Sequence, residues 1–140
     1  MKKIYWLVLL SICFFWIIVY FNVPSAVERH ELEASANLTW KRVGIDVDSE
    51  KFSFGYVPLN GTSRRSFTSH NGHPFPITVS IYTKGNISPY LFTSSNNFVL
   101  APNETRKLNL TFVPAGTNFS EDQLPIFYSG QVIVEYFKAK

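Results

Sequence analysis

Twenty consecutive residues without a charge, Ile4 to Val23, narrow most sharply what this chain can become. The run reads IYWLVLLSICFFWIIVYFNV, and Ser11 and Asn22 are its clearly polar members. As an α-helix it reaches about 30 Å, the thickness of a bilayer's hydrocarbon core. Tyr5 and Trp6 fall near one end and Tyr20 and Phe21 near the other, where aromatic rings favour the membrane–water boundary. Lys2 and Lys3 precede the run, so the positive-inside preference puts residues 1–3 in the cytoplasm and the rest of the chain outside. A cleaved signal peptide is the rival reading. Its apolar core is ordinarily about 7–15 residues, shorter than this one. Pro24-Ser25-Ala26 sets proline where cleavage wants a small residue, and Ala34-Ser35-Ala36, which has the right pattern, lies too far along. The sequence predicts an uncleaved signal anchor over residues 4–23, a single-pass topology in the cell membrane.

Charge and cysteine use bound the rest. Of 13 basic residues, Lys2 and Lys3 precede the run; the remaining 11 face 10 acidic ones, a balance of +1. Nucleic-acid binding needs a clustered basic face that displaces counterions, and this balance argues against one. The only cysteine, Cys13, lies inside the apolar run, so the exposed part has no disulfide, thiolate nucleophile or cysteine metal site. A domain of about 100 residues can rely on its core instead.

Residues 24–36 are short of large apolar side chains and read as a juxtamembrane linker, with His30 solvated in it. From 37 to 140 the pattern is β. Phe52, Phe54 and Tyr56 share one face; Ile77, Val79 and Ile81 another; Leu108, Leu110 and Phe112, and Val132, Val134 and Tyr136, repeat the period of two. Leu38 to Val47, Arg65 to Ser69, Tyr90 to Thr93 and Asn97 to Ala101 are weaker strand signals. Asn60-Gly61, Asn71-Gly72, Lys84-Gly85-Asn86, Ala101-Pro102-Asn103 and Pro114-Ala115-Gly116 mark turns, and Glu121 to Phe127 a longer loop. Seven or eight short strands with no amphipathic helix predict an all-β, two-layer antiparallel sandwich.

The order of these motifs resembles the ASH/MSP-type immunoglobulin-like modules. The resemblance rests on Phe52-Ser53-Phe54-Gly55-Tyr56-Val57-Pro58, His70-Asn71-Gly72, Leu100-Ala101-Pro102-Asn103-Glu104, Leu108 to Pro114 and Tyr128-Ser129-Gly130-Gln131-Val132, and covers about residues 50 to 137. It implies an immunoglobulin-like binding or architectural module with no family active site. A tethered, extracytoplasmic topology departs from the better-known intracellular members and fits prokaryotic, especially archaeal, surface proteins with such domains.

Six Asn-X-Ser/Thr acceptor triplets begin at Asn37, Asn60, Asn86, Asn103, Asn109 and Asn118. Chance placement gives about 1.6 for this composition. All six follow the apolar run, and Asn60, Asn86, Asn103 and Asn118 fall in turn signals, where a glycan is tolerated. A passive reading stands beside this one, because Asn, Gly and Thr also build turns and strands.

Sites for chemistry are sparse. His70 and His73 flank the Asn71-Gly72 turn and are weak metal candidates; a solvent-facing hairpin tip is the simpler reading. Asp46, Asp48 and Glu50 alternate like part of a calcium loop but lack its glycine and distal glutamate. The sequence has no G-x-S-x-G elbow and no phosphate loop. Arg64-Arg65 and Arg106-Lys107 read as solvated strand ends, and Tyr82, Tyr90 and Phe119 as a candidate contact patch. The expectation is a non-catalytic, N-glycosylated cell-surface module with a protein partner in the envelope, no cofactor and no small-molecule substrate. Two alternatives stand beside it. One is a surface filament, archaellum-like motor or secretion component, with Thr39 to Val47 as an exchangeable edge strand. The other is a metal chaperone or enzyme accessory using His70 and His73.

Overall fold

The apolar run folds as helix α1 (Lys2–Asn22), 21 residues long, in a computed structural model that describes residues 2–22, 25–39, 51–114 and 124–139. Its large apolar side chains from Tyr5 to Ile18 that are described are all exposed, from 47% at Ile18 to 72% at Tyr5. Among the described residues no helix is long and apolar enough to cross a membrane. The side chains described in α1 are those of Tyr5, Trp6 and residues 8–18, a shorter stretch than a bilayer requires.

Eight strands are described: β1 (Glu28–Thr39), β2 (Phe52–Pro58), β3 (Ser63–His70), β4 (Ile77–Gly85), β5 (Leu91–Thr93), β6 (Phe98–Leu100), β7 (Thr105–Phe112) and β8 (Ile126–Lys138). They form a five-stranded sheet, ordered β2-β1-β8-β4-β6, and a three-stranded sheet, ordered β3-β7-β5. Both sheets turn their apolar faces into one core, which contains Leu38, Val79, Leu110, Phe112 and Val132. Ser69 Oγ donates to the Tyr136 hydroxyl at 3.2 Å, a buried bond from the smaller sheet to the larger.

Three expectations change. Residues 28–36, read as linker, belong to β1, which pairs with β8 from Glu28↔Tyr136 to Leu38↔Ile126. Its inward residues are Leu32, Ala34, Ala36 and Leu38, and the alanines hide the alternation in the sequence. Secondly, the larger sheet is mixed, because β1 and β2 run parallel. Twelve residues separate Thr39 from Phe52 in the sequence, a connection long enough for parallel neighbours. Thirdly, Phe52 and Phe54 are buried, but Tyr56 is 46% exposed and Val57 takes the core position. The β1–β2 register shifts between Ser35 and Asn37, and Gly55 sits opposite that shift at φ 69°. One extra residue there reverses the phase of the strand. Of the Leu38 to Val47 signal, Leu38 and Thr39 end β1 and the rest lies outside the described residues.

Side chains close the sheet edges. Beyond β6, the Asn96 amide pairs with both backbone groups of Ile81, accepting from its N–H and donating to its carbonyl, each at 2.7 Å. Asn86 does the same on β8, accepting from Ser129 N at 2.7 Å and reaching the Phe127 carbonyl at 3.4 Å. On β2, Ser63 Oγ donates to Phe54 O at 3.0 Å and Arg65 Nε to Ser53 O at 2.6 Å.

The core is tightest around Phe112, whose ring lies 5.8 Å from Phe54, 6.3 Å from Tyr90 and 5.6 Å from Tyr128. Phe112→Ala removes a fully buried ring from this four-member aromatic cluster. The expected loss is about 3–5 kcal/mol of stability, read by urea unfolding of the micelle-held protein.

Candidate functional site

The outer face of the five-stranded sheet, turned away from the core, carries the most organised polar chemistry. At one end Arg29 contacts Glu31 at 2.6 Å and Glu135 at 3.2 Å, and the Tyr82 hydroxyl donates to Glu135 at 2.7 Å. Lys84 Nζ lies 5.8 Å from the centre of the Tyr82 ring. Between these groups Ile133, register partner of both Glu31 and Tyr82, is 0% exposed although it points away from the core. The network therefore roofs one apolar side chain, which raises the cost of breaking it.

Two tyrosines are shifted. The hydrogen bond to Glu135 is the main cause holding Tyr82 above the ordinary tyrosine value of 10.0; burial is the main cause for Tyr128. A raised folded-state value means the folded protein keeps its phenol proton after the unfolded chain has lost it. The stability from both groups is then complete below about pH 10 and is lost as pH rises through the raised values. Tyr128→Phe is expected to flatten the alkaline fall in urea midpoint between about pH 9 and 11, with Tyr82→Phe adding a smaller effect because its site is open to solvent.

At the other end of the same face lies a groove of about 510 Å³, lined chiefly by Glu33, Ser35, Lys51, Phe127, Ser129 and Gln131. Register puts Ser35 opposite Ser129 and Glu33 opposite Gln131. Lys51 Nζ pairs with Glu33 at 2.8 Å, and the Phe127 ring stands 57% exposed.

The residues singled out by sequence do not converge. His70 Nδ1 bonds Thr105 Oγ1 at 2.9 Å on the smaller sheet. His73 stacks on Phe75, ring centres 5.1 Å apart, with Nε2 3.8 Å from Glu28. His30, expected to be solvated in a linker, lies on β1 and meets Glu28 at 2.7 Å, a direct hydrogen bond with no room for an ion between. Among the described residues no group of three or more His, Cys, Asp or Glu could hold a metal ion. Asp46, Asp48, Glu50, Asn118 and Phe119 lie outside the described residues. Arg106 pairs with Glu104 at 3.2 Å and covers the Phe98 ring at 4.7 Å, and Arg65 is bound to β2, so one arginine of each basic pair is already engaged. Tyr82 joins the outer network and Tyr90 packs on Phe112, so they form no common patch.

The acceptor asparagines divide by environment. Asn60 and Asn103 are exposed, Asn60 in the turn after β2 and Asn103 in the β6–β7 turn at φ 61°. Asn109 stands half-exposed on the outer face of β7, with Oδ1 accepting from Ser66 Oγ at 2.9 Å. Asn37 lies in the interior strand β1, and the Asn86 amide is engaged with β8. Sequence reasoning missed the Arg29–Glu135–Tyr82 network and the groove, because both join β1 to β8 across nearly the whole length of the domain. No family model matches the chain, and no curated protein or solved structure matches it.

Proposed function

We propose that this chain is a membrane-anchored, non-catalytic interaction module of the cell envelope. In this reading α1 crosses the bilayer, the Lys2-Lys3 end is cytoplasmic, and an immunoglobulin-like sandwich stands outside with N-linked glycans. The observation that carries it is α1: large apolar side chains exposed on every described turn of one helix, within twenty uncharged residues. A helix apolar all round is buried in protein or in lipid, since exposing it to water forfeits its transfer energy. The absence of charge from Ile4 to Val23 favours lipid. A strand-donating filament subunit is less well supported. It needs an open sheet edge, whereas Asn86, Asn96, Ser63 and Arg65 all bond edge backbone in the larger sheet. A metal carrier built on His70 and His73 finds no support in their separate hydrogen bonds and packing.

The test is membrane partition and mass in the native host, before and after deglycosylation. Retention through a carbonate wash, with a mass above 16.0 kDa that falls on deglycosylation, is the expected result. A soluble, unmodified and shortened product would remove the anchor and the glycans together. Glycopeptide mapping is expected to find Asn60, Asn103 and Asn109 more fully occupied than Asn37 and Asn86, because a sugar on Asn86 replaces one Nδ2 hydrogen and crowds an amide held against Phe127 O and Ser129 N.

A further inference from the structure

From the groove beside Phe127 we infer that this domain binds a neutral carbohydrate, seating one pyranose ring of a longer glycan on the outer face of β1 and β8. The inference does not depend on the anchor, since the groove has the same chemistry wherever the domain resides.

The lining selects the ligand class by elimination. The one cation described in it, Lys51, is matched by Glu33 at 2.8 Å, so the groove offers no net charge to a phosphate, a nucleotide or an acidic peptide. An apolar ligand would strip water from Glu33, Lys51, Gln131 and two serines and give nothing back. A peptide adding as a strand needs free backbone groups. Here β1 and β8 pair with each other along the groove, β2 covers β1 from Ala34 onward, and the Asn86 amide engages Ser129 N and Phe127 O on the far side of β8.

What remains is a ligand with donors and acceptors around a ring and an apolar C–H face. A pyranose is such a ligand. Its axial C–H bonds carry partial positive charge and suit the negative face of an aromatic ring. Phe127, 57% exposed in the lining of the groove, supplies such a ring. Gln131 offers both an acceptor and donors, Ser35 and Ser129 hydroxyls of either sense, and Glu33 a strong acceptor for vicinal hydroxyls. The floor is the strand backbone at the register pair Ala34 and Gly130. The volume of about 510 Å³ falls within the range of small-ligand clefts.

The test uses the full chain made in a bacterium without N-glycosylation, so that Asn37, register partner of Phe127, carries no sugar of its own. It is held in phosphocholine micelles, which present no sugar headgroup. Cellotriose, maltotriose, mannotriose and chitotriose are titrated by calorimetry and by amide NMR, with trigalacturonate and inorganic phosphate alongside. At least one neutral trisaccharide is expected to bind with Kd on the order of 1 mM or tighter, shifting the amides of Ser129 and Gln131. Phe127→Ala should weaken it by roughly tenfold and Gln131→Ala by about threefold, while Phe127→Tyr retains it. Melting midpoints should stay within about 2 °C of the parent, as exposed positions allow. The inference is overturned if no neutral sugar binds, if Phe127→Ala leaves binding unchanged, or if phosphate or trigalacturonate binds more tightly than every neutral sugar. Sugar binding by a chain that washes off membranes would remove the anchor alone; a membrane-retained chain without sugar binding would remove this inference alone.

Discussion

Gly130→Ala is expected to destabilise the β domain severely, one of the two largest effects of an added methyl group at the described glycines. A Cβ at Gly130 would collide with the Lys84 carbonyl oxygen and stand 2.7 Å from Ile87 Cγ2. The first is a backbone atom, so no rotamer change relieves it. Its register partner is Gly85, where a Cβ would meet Ser129 O at 2.5 Å and Gly130 Cα at 2.6 Å, at φ 94°. Two facing glycines let β4 and β8 approach more closely than any side chain permits. Relief by moving β8 is costly, because β8 lies in the middle of the five-stranded sheet and pairs with β1 along eleven register positions. The expected loss is about 3 kcal/mol or more, the upper end of overpacking, with Gly85→Ala comparable through steric clash and its positive φ. Urea unfolding of the micelle-held protein measures both, with Gln131→Ala, one residue along and exposed, as the control. A Gly130→Ala protein melting within about 3 °C of the parent would show that the strands can part without loss, and would remove the argument.

Ser129-Gly130-Gln131 was legible in the sequence as part of a closing strand, but the reason for its glycine was not. That reason is Lys84, forty-six positions away in number and adjacent in space. The same limit explains the other departures. The period of two located β4, β7 and β8, because large apolar residues alternate there with polar ones, whereas β3 was a weaker signal with Phe67 as its one large apolar residue. It failed on β1, where Ala34 and Ala36 fill inward positions and ERHELE reads as a charged spacer. It misphased β2, although Gly55 within Phe52–Pro58 was a fair local sign of a bulge. Topology was less accessible still: nothing in residues 28–39 announces a parallel partner on one side and an antiparallel one on the other. Among site residues, the turn asparagines Asn60 and Asn103 were readable from local chemistry alone. The groove was not, since Glu33, Lys51 and Gln131 come from three strands or strand ends and acquire meaning through register.

Asn71→Ala is expected to destabilise the domain by about 3–5 kcal/mol, and Asn71→Asp by more. Sequence reading saw in Asn71-Gly72 a turn between two candidate histidines. The structure gives the asparagine a larger role than either histidine. It is 0% exposed, and the two hydrogens of its Nδ2 are shared among three carbonyls: Phe75 at 2.9 Å, Leu100 at 3.1 Å and Ala101 at 3.0 Å. Its Oδ1 accepts from His73 N at 2.9 Å. Its backbone reaches the same turn, with N–H donating to Glu104 O and C=O accepting from Asn103 N, both at 2.9 Å. One side chain thus ties the end of β3, in the smaller sheet, to the strand-end carbonyl of β6, in the larger. Among the described residues no buried side-chain polar atom lacks a partner, so this network is closed and its removal strands several groups at once. Alanine removes the donor that these carbonyls share, of which Ala101 O keeps Glu104 N, and the acceptor of the His73 N–H. Aspartate replaces the donor with a carboxylate facing those same carbonyls, and it must become protonated or repel them. The discriminating measurement is a series: Asn71→Ala, Asn71→Asp and Asn71→Ser compared by urea midpoint at pH 7 and again near pH 4. Aspartate should recover part of its deficit at the lower pH as it takes up a proton, while alanine should not. Equal losses for alanine and aspartate at both pH values would mean that the loop refills with water, and that the donor pattern of Asn71 does not hold the two sheets together.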